Sequence, residues 1–179
     1  VVLLFLVIGA YNRLVGLDQT ADQAFADIDV QLKQRHDLIP NLVATVKGYA
    51  SHERGTLEAV IQARSAATHA TGVNEKVEAE NMLTATLGRL FALSEAYPQL
   101  RANENFMRLQ SDLSDIENKL AAARRFFNNA VSEFNAVRRQ FPTVLFAGLV
   151  GFGSDKPFFD VGTEQRAAMD AAPPKVSFS

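Results

Sequence analysis

An apolar residue recurs at every third or fourth position from Phe106 to Phe141. The series is Phe106, Leu109, Leu113, Ile116, Leu120, Ala123, Phe127, Ala130, Phe134, Val137 and Phe141. Spacings that alternate between three and four give a 3.5-residue period, which is typical of a long helix packed lengthwise against other helices. At ~1.5 Å per residue the segment predicts a rod of roughly 54 Å that ends at Phe141-Pro142, since proline cannot continue a helix. The stripe therefore predicts an architecture and carries no catalytic chemistry.

Three earlier segments also show apolar residues at helical spacing. They cover residues 14–32, 41–70 and 77–93, and Gly72 lies in a turn between the last two, where it is a natural helix stop. No segment shows the strict alternation that is typical of a strand. The sequence therefore predicts an all-α fold, an antiparallel bundle of long helices over residues 12–142.

The number of helices depends on how the chain passes Pro40. Asp37 is a residue type that caps helices, and proline suits the first turn of a new helix. We therefore expect the chain to reverse direction between His36 and Pro40, which gives four helices. The alternative is that the first helix continues through Pro40 with a kink, which leaves three long helices.

The chain begins with an uncharged apolar run that ends at Tyr11. Its eleven residues are too few to span a bilayer, which takes ~20, but the first residue is Val and we expect the run to continue upstream. Asn12 and Arg13 follow, and an aromatic residue before a basic one is typical of a membrane interface. We interpret residues 1–11 as the end of a transmembrane helix that continues into the bundle; a signal-peptide remnant and a buried helix start are the alternatives. The predicted anchor residues are Val1, Val2, Leu3, Leu4, Phe5, Leu6, Val7, Ile8 and Tyr11.

Charge and cysteine content exclude some classes of function. The chain has 18 basic and 20 acidic residues and a net charge of −2, whereas a nucleic-acid binder usually has a clear basic face. It has no cysteine, so disulfides and thiolate metal sites are excluded. We expect no nucleic-acid partner.

The character of the sequence changes after Pro142. Residues 143–160 are apolar and contain several glycines, and we predict that residues 161–179 are largely disordered. If the last of four antiparallel helices ends on the membrane side, residues 143–160 lie near the lipid headgroups or at a subunit interface. The candidate membrane or partner contacts are Phe141, Leu145, Phe146, Leu149 and Phe152.

The three histidines do not match a known metal motif. His52-Glu53 begins like the zinc motif HExxH, but Thr56 stands where the second histidine is required. No glutamate lies three residues before His36, His52 or His69, as the di-iron bundles require. We expect surface or helix-capping histidines, and we predict no metal and no other cofactor.

The other motifs have structural interpretations, and we predict no catalytic residue. Gly148, Gly151 and Gly153 lack the spacing and the Lys-Ser/Thr of a phosphate loop. The arginine pairs at 124–125 and 138–139 are expected to be solvated, with anionic lipid or a partner's acids as the alternative contact. Some polar residues could fix helix register through buried hydrogen bonds. The candidates are Glu80, Asn81, Asn103, Asn105, Glu117, Asn118, Asn128 and Asn129.

Much of the chain resembles the bacterial LemA family. The matching stretches include YNRLV at 11–15, DIDVQLKQRHDLIPNLVATVKGYASHE at 27–53, LGRLFALSEAYPQL at 87–100 and IENKLAAARRFFNNAVSEFN at 116–135. The resemblance implies a single-pass bacterial membrane protein with a helical-bundle domain and no established enzymatic activity. Genes of this family tend to lie near those for membrane proteases of the HtpX type.

These observations together predict a non-enzymatic, membrane-tethered scaffold or adaptor. We expect it to form a homo-oligomer, to contact the lipid bilayer and to associate with other membrane proteins, with a membrane metalloprotease as one candidate. The resemblance favours the bacterial inner membrane, with the bundle on the cytoplasmic side. A hydrolase with a dispersed site and a sensor that binds a small ligand between helices are the alternatives, and a deep pocket lined by convergent polar groups would favour either.

Overall fold

A computed structural model of the chain describes residues 1–160. Within this range the chain is helical and contains no strand, as the sequence predicts. The α-helices are α1 (Val2–Lys47), α2 (Arg54–His69), α3 (Val73–Ser94), the single turn α4 (Pro98–Arg101) and α5 (Glu104–Arg139), and a 3-10 turn follows at Thr143–Leu145. The predicted disordered tail, residues 161–179, lies outside the described residues.

Helices α1 and α5 pack against each other as a long antiparallel pair. They contain 46 and 36 residues, which correspond to about 69 and 54 Å. Leu14 near the start of α1 packs with Phe134 near the end of α5, whereas Val46 at the end of α1 shares a core cluster with Phe106 at the start of α5. We call the end that holds the α1 N-terminus the proximal end and the opposite end the distal end.

Helices α2 and α3 form a helical hairpin that covers the distal half of the α1–α5 pair. Their apolar residues, such as Val60 and Leu83, join α1 and α5 in the largest core cluster. The turn between them contains Gly72, which has a φ of 74°. Most residues avoid this left-handed region, so a glycine is favoured here. The distal half is therefore a four-helix bundle.

The heptad stripe of α5 faces the core, as predicted. Leu113, Ile116, Leu120 and Phe127 are all buried, with 2–6% of their surface exposed. Phe141, the last member of the stripe, is instead 73% exposed. Helix α5 ends at Arg139, so Phe141 does not lie on the helix face that packs against the core.

The prediction that the chain reverses at Pro40 is wrong. Helix α1 passes through Pro40 without a break and ends at Lys47. A proline lacks the N–H that would bond to the carbonyl four residues earlier, here that of His36. The Nε–H of Arg64 on α2 donates to that carbonyl at 2.7 Å, which satisfies the freed acceptor. Asp37 therefore caps no helix.

The chain reverses instead between Gly48 and Glu53. This turn interrupts the segment 41–70, where apolar residues at helical spacing predict a continuous helix. The backbone N–H of Ala50 donates to the carbonyl of Val46 at 2.9 Å and closes the end of α1. The break restores the count of four long helices, although it lies about two turns beyond Pro40.

Candidate functional site

Residues 1–13, which include the first turns of α1, project from the bundle at the proximal end. None of them is buried, and Leu3, Phe5 and Leu6 expose 66, 69 and 56% of their surface. Among the described residues, α1 is the one helix that is long and apolar enough to cross a membrane. An exposed apolar helix of this kind fits a membrane anchor, because water is an unfavourable environment for so many large side chains.

The segment after α5 turns beside this projecting helix. We call residues 141–154 the apolar loop. Phe141 and Pro142 line a shallow groove together with Phe5 and Leu6, so the predicted contact residues and the predicted anchor meet at one end of the molecule. Their contact with lipid or with a partner stays a prediction.

Three of the five candidate contact residues in the apolar loop face outward. Phe141, Leu145 and Leu149 expose 73, 70 and 87% of their surface. The other two candidates, Phe146 and Phe152, are half-buried. The ring of Phe152 meets that of Phe134 edge-on, with centroids 5.7 Å apart, and this contact attaches the loop to α5.

Beyond the loop the chain runs back along α5 in an extended form. We call residues 155–159 the strap. Asn128 holds Phe159 by two hydrogen bonds: its Nδ2 donates to the Phe159 carbonyl at 3.0 Å, and its Oδ1 accepts from the Phe159 N–H at 2.8 Å. Asn135 holds Lys156 in the same way, at 3.1 and 2.8 Å. The side chain of Phe159 enters a core cluster of α1 and α5 residues that includes Ile28 and Leu120, and it is 3% exposed.

Charged groups fix the two sides of the strap. Asp155 pairs with both Arg138 and Arg139, and the Nε–H of Arg138 donates to its Oδ1 at 2.9 Å. The ammonium of Lys156 lies 2.6 Å from Oδ1 of Asp18 on α1. The arginine pair at 138–139, expected to be solvated or to contact lipid or a partner, thus engages the chain's own acid.

A buried ionic network links α1 to α3 in the distal half. Arg35, His36 and Glu80 expose 3, 8 and 4% of their surface. One oxygen of Glu80 accepts from Nε2 of His36 at 2.5 Å, and the other accepts from Arg35 at 3.3 Å. Arg35 also donates to the hydroxyl of Thr84 at 2.6 Å. The expectation of surface or capping histidines is therefore wrong for His36.

Helix α5 adds two charges to this network. Oε1 of Glu117 lies 3.2 Å from Nε of Arg35, although the N–H does not aim at it well enough for a hydrogen bond. Burial lowers the pKa of the nearby Arg124 guanidinium; the carboxylate of Glu117 opposes this shift, and the positive charge of Arg35 adds to it. The network therefore spans three helices.

A half-open pocket of about 300 Å³ lies beside the network, between α1, α2 and α3. Much of its charged lining is already paired within the protein. Glu80 binds His36, and Lys76 binds Asp29 at 2.5 Å. Internal pairing leaves few groups free to converge on a ligand, so the pocket gives little support to the enzyme and sensor alternatives. Residues 1–160 contain no cluster of three metal-ligating side chains.

Sequence reasoning found some of these residues and missed others. Glu80, Asn103 and Asn128 were candidates for buried hydrogen bonds that fix helix register, but Asn103 instead caps α5 by accepting from the Phe106 N–H at 3.0 Å. Asn135 and Arg35 were not singled out. A signal for Asn135 was present, because it lies seven residues after Asn128 and therefore on the same face of a helix with a 3.5-residue period.

Comparisons with known proteins identify relatives along most of the chain. A model of the LemA family matches residues 24–178. Magnetosome protein MamQ from Magnetospirillum gryphiswaldense is 21% identical over 168 residues, which cover 79% of this chain and 62% of that protein. Protein LemA from Metamycoplasma hominis is 24% identical over 133 residues, which cover 74% of this chain and 61% of that protein. The chain thus spans about three fifths of the length of these relatives.

Proposed function

This chain belongs to the LemA family, and on that premise we propose that it is a non-enzymatic, membrane-tethered scaffold or adaptor. It assembles with itself and with other membrane proteins, a membrane metalloprotease of the HtpX type being one candidate. We place it in a bacterial inner membrane with the bundle on the cytoplasmic side.

One observation carries the proposal: the large exposed apolar side chains of the loop lie beside the exposed N-terminal turns of α1. Leu145 and Leu149 are 70 and 87% exposed, and Phe141 lines a groove with Phe5. Large exposed apolar side chains gathered at one end of a molecule usually mark a contact with a membrane or with another protein. In the pocket between α1, α2 and α3, the pairing of Glu80 with His36 and of Lys76 with Asp29 gives less support to a substrate site.

The test is the mass of the protein in detergent, measured by light scattering at micromolar concentration. The wild type should exceed the monomer mass, and Leu145→Ser with Leu149→Ser should shift it toward the monomer. The matched control replaces Ile61 and Met82 by Ser, because these residues are also exposed and apolar but lie on α2 and α3. A monomeric wild type that retains no partner from native membranes would refute the scaffold.

The side of the membrane is tested separately. The natural chain has no cysteine, so Ser111→Cys places a single thiol at an exposed position on α5. An impermeant maleimide added to intact spheroplasts should leave this thiol unlabelled until the cells are lysed. Labelling before lysis would place the bundle outside the cytoplasm.

A further inference from the structure

The strap lies in a site that is built to bind an extended peptide. The carboxamide of asparagine carries one acceptor and donors on adjacent atoms, so it can pair with both the N–H and the C=O of a single residue. Asn128 and Asn135 each pair in this way, with Phe159 and Lys156. This pairing reads backbone rather than side chains, and it requires the peptide to be extended.

The spacing of the two asparagines matches the rise of the strap. Two helical turns separate Asn128 from Asn135, about 10.5 Å along the axis. Three extended residues from Lys156 to Phe159 cover about 10 Å. Asn128 and Asn135 can therefore bind the strap backbone at the same time without distortion of the helix or the strap.

Three side-chain positions give the site its sequence preference. An aromatic side chain fills the core position taken by Phe159, which is 3% exposed. A cation is held by Asp18 at 2.6 Å and also lies 5.0 Å from the centre of the Phe134 ring. An acid is held by Arg138 and Arg139. A peptide of the form Asp-Lys-Pro-Phe-Phe satisfies all three positions, and this is the strap sequence.

We propose that this site also accepts the strap of a second copy, so that neighbouring protomers exchange residues 155–159. The same contacts form whether the strap comes from its own chain or from a neighbour, so the preference is set by the connection and by any new interface. The apolar loop is that connection. Its 14 residues, 141–154, can reach at most about 50 Å, which exceeds the 8–10 Å between packed helices.

Exchange would also cover the exposed apolar side chains of the loop. In one chain Leu145 and Leu149 have little contact, whereas a loop that crosses to a neighbour carries both residues into the space between protomers. The proposal rests on the self-association proposed above and names the segment that performs it. The partner copy then contributes residues to the site of each protomer.

The experiment uses two tagged full-length copies produced in the same cells. The first copy carries Asp18→Asn and Asp22→Asn, so its strap has an amine but its groove has no acid. The second copy carries Lys156→Arg, so its groove has the acids but its strap has no reactive amine. A carbodiimide, which joins an amine directly to a carboxylate in contact with it, can then link Lys156 to Asp18 only between copies. Mass spectrometry of the linked peptides identifies the bond.

Exchange predicts a Lys156–Asp18 link between the two copies, and none in either copy produced alone. Asn128→Asp with Asn135→Asp should lower this product about tenfold or more, because a carboxylate repels the strap carbonyls and leaves them unpaired. The matched control is Asn129→Asp, an exposed neighbour whose side chain makes no hydrogen bond within the described residues. A ¹⁴N/¹⁵N mixture of wild-type protein provides a second measurement without charge changes, in which exchange yields mixed-isotope links.

Each outcome bears on the proposal. Oligomers by light scattering without any intermolecular link, while the wild type forms the link within one chain, would overturn exchange and leave the scaffold proposal standing. A monomer with links only within one chain would overturn both. Absence of the link in all samples would show that the strap does not occupy the groove, which also overturns exchange.

Discussion

Replacing Arg64 by methionine should destabilise the protein because of a proline on another helix. Pro40 lacks the N–H that would satisfy the carbonyl of His36, and Arg64 supplies the missing donor at 2.7 Å. Methionine keeps much of the side-chain length and packing but has no donor. The buried carbonyl would then lose its partner.

The magnitude follows from the type of hydrogen bond. A bond from a charged donor contributes ~1.5–3 kcal/mol, and a buried acceptor left unpaired costs ~1–3 kcal/mol. We expect Arg64→Met to lower the free energy of unfolding by ~2 kcal/mol, which is a fall in Tm of about 4–8 °C for a chain of this size.

A double-mutant cycle separates this contact from other effects of the arginine. In Pro40→Ala the new backbone N–H of residue 40 can bond to the His36 carbonyl, so Arg64 is no longer needed there. Arg64→Met should therefore cost less than ~1 kcal/mol in the Pro40→Ala background. Thermal unfolding in detergent, followed by circular dichroism, measures all four proteins. The matched control is Arg89→Met, since Arg89 is exposed and its side chain makes no ion pair or hydrogen bond within residues 1–160.

The reasoning fails if Arg64→Met costs the same in both backgrounds. Such a result would mean that Arg64 stabilises the fold through the neighbouring pocket or through its charge. An unchanged Tm in the natural background would mean that water satisfies the carbonyl equally well.

Three further predictions concern the core, the ionic network and the strap. Leu120→Ala should lower the free energy of unfolding by ~2–5 kcal/mol, because Leu120 is 2% exposed in the stripe; an unchanged Tm would show that the stripe faces something other than the core. Glu80→Gln should cost ~3–5 kcal/mol, because it leaves the charge of Arg35 buried and poorly paired, whereas Arg35→Met together with Glu80→Leu should recover most of that loss in the same unfolding assay. Asn128→Asp should speed hydrogen exchange at the Phe159 amide by at least about tenfold, since the carboxylate cannot donate to the Phe159 carbonyl and repels it, which releases the strap, and unchanged protection would argue against the backbone pairing.

The heptad helix could be predicted from sequence because its signal is local and repeated. Eleven apolar residues at a 3.5-residue period leave few alternatives to a helix. Helix α5 ends at Arg139, two residues before the expected end at Phe141. The path through Pro40 could not be predicted, because the donor that satisfies the freed carbonyl comes from Arg64, 28 residues further along the chain. Capping propensities depend on neighbouring residues such as Asp37 and Pro40, so they cannot include a donor supplied by another helix.

The same limit applies to the candidate site. The exposed loop was predicted from its apolar residues, whereas the buried Arg35–Glu80 pair depends on two helices brought together by tertiary packing. A charged residue at a helical position is usually solvated, so sequence reasoning assigns it to the surface. The acidic partners on α3 and α5 make the burial of Arg35 tolerable.

The heptad period also sets the length of peptide that α5 can hold. Asn128 and Asn135 occupy equivalent positions one heptad apart, and each follows a buried phenylalanine of the stripe. One heptad beyond them in either direction stand Ala121 and Pro142, and neither residue has a side chain that can pair with a backbone. Two asparagines therefore bind the backbone of a short segment. Arg138 and Arg139 add one more contact, with the acidic side chain of Asp155. A site of this size holds a strap firmly enough to order it, yet it contains few enough hydrogen bonds for a neighbouring copy to compete for it.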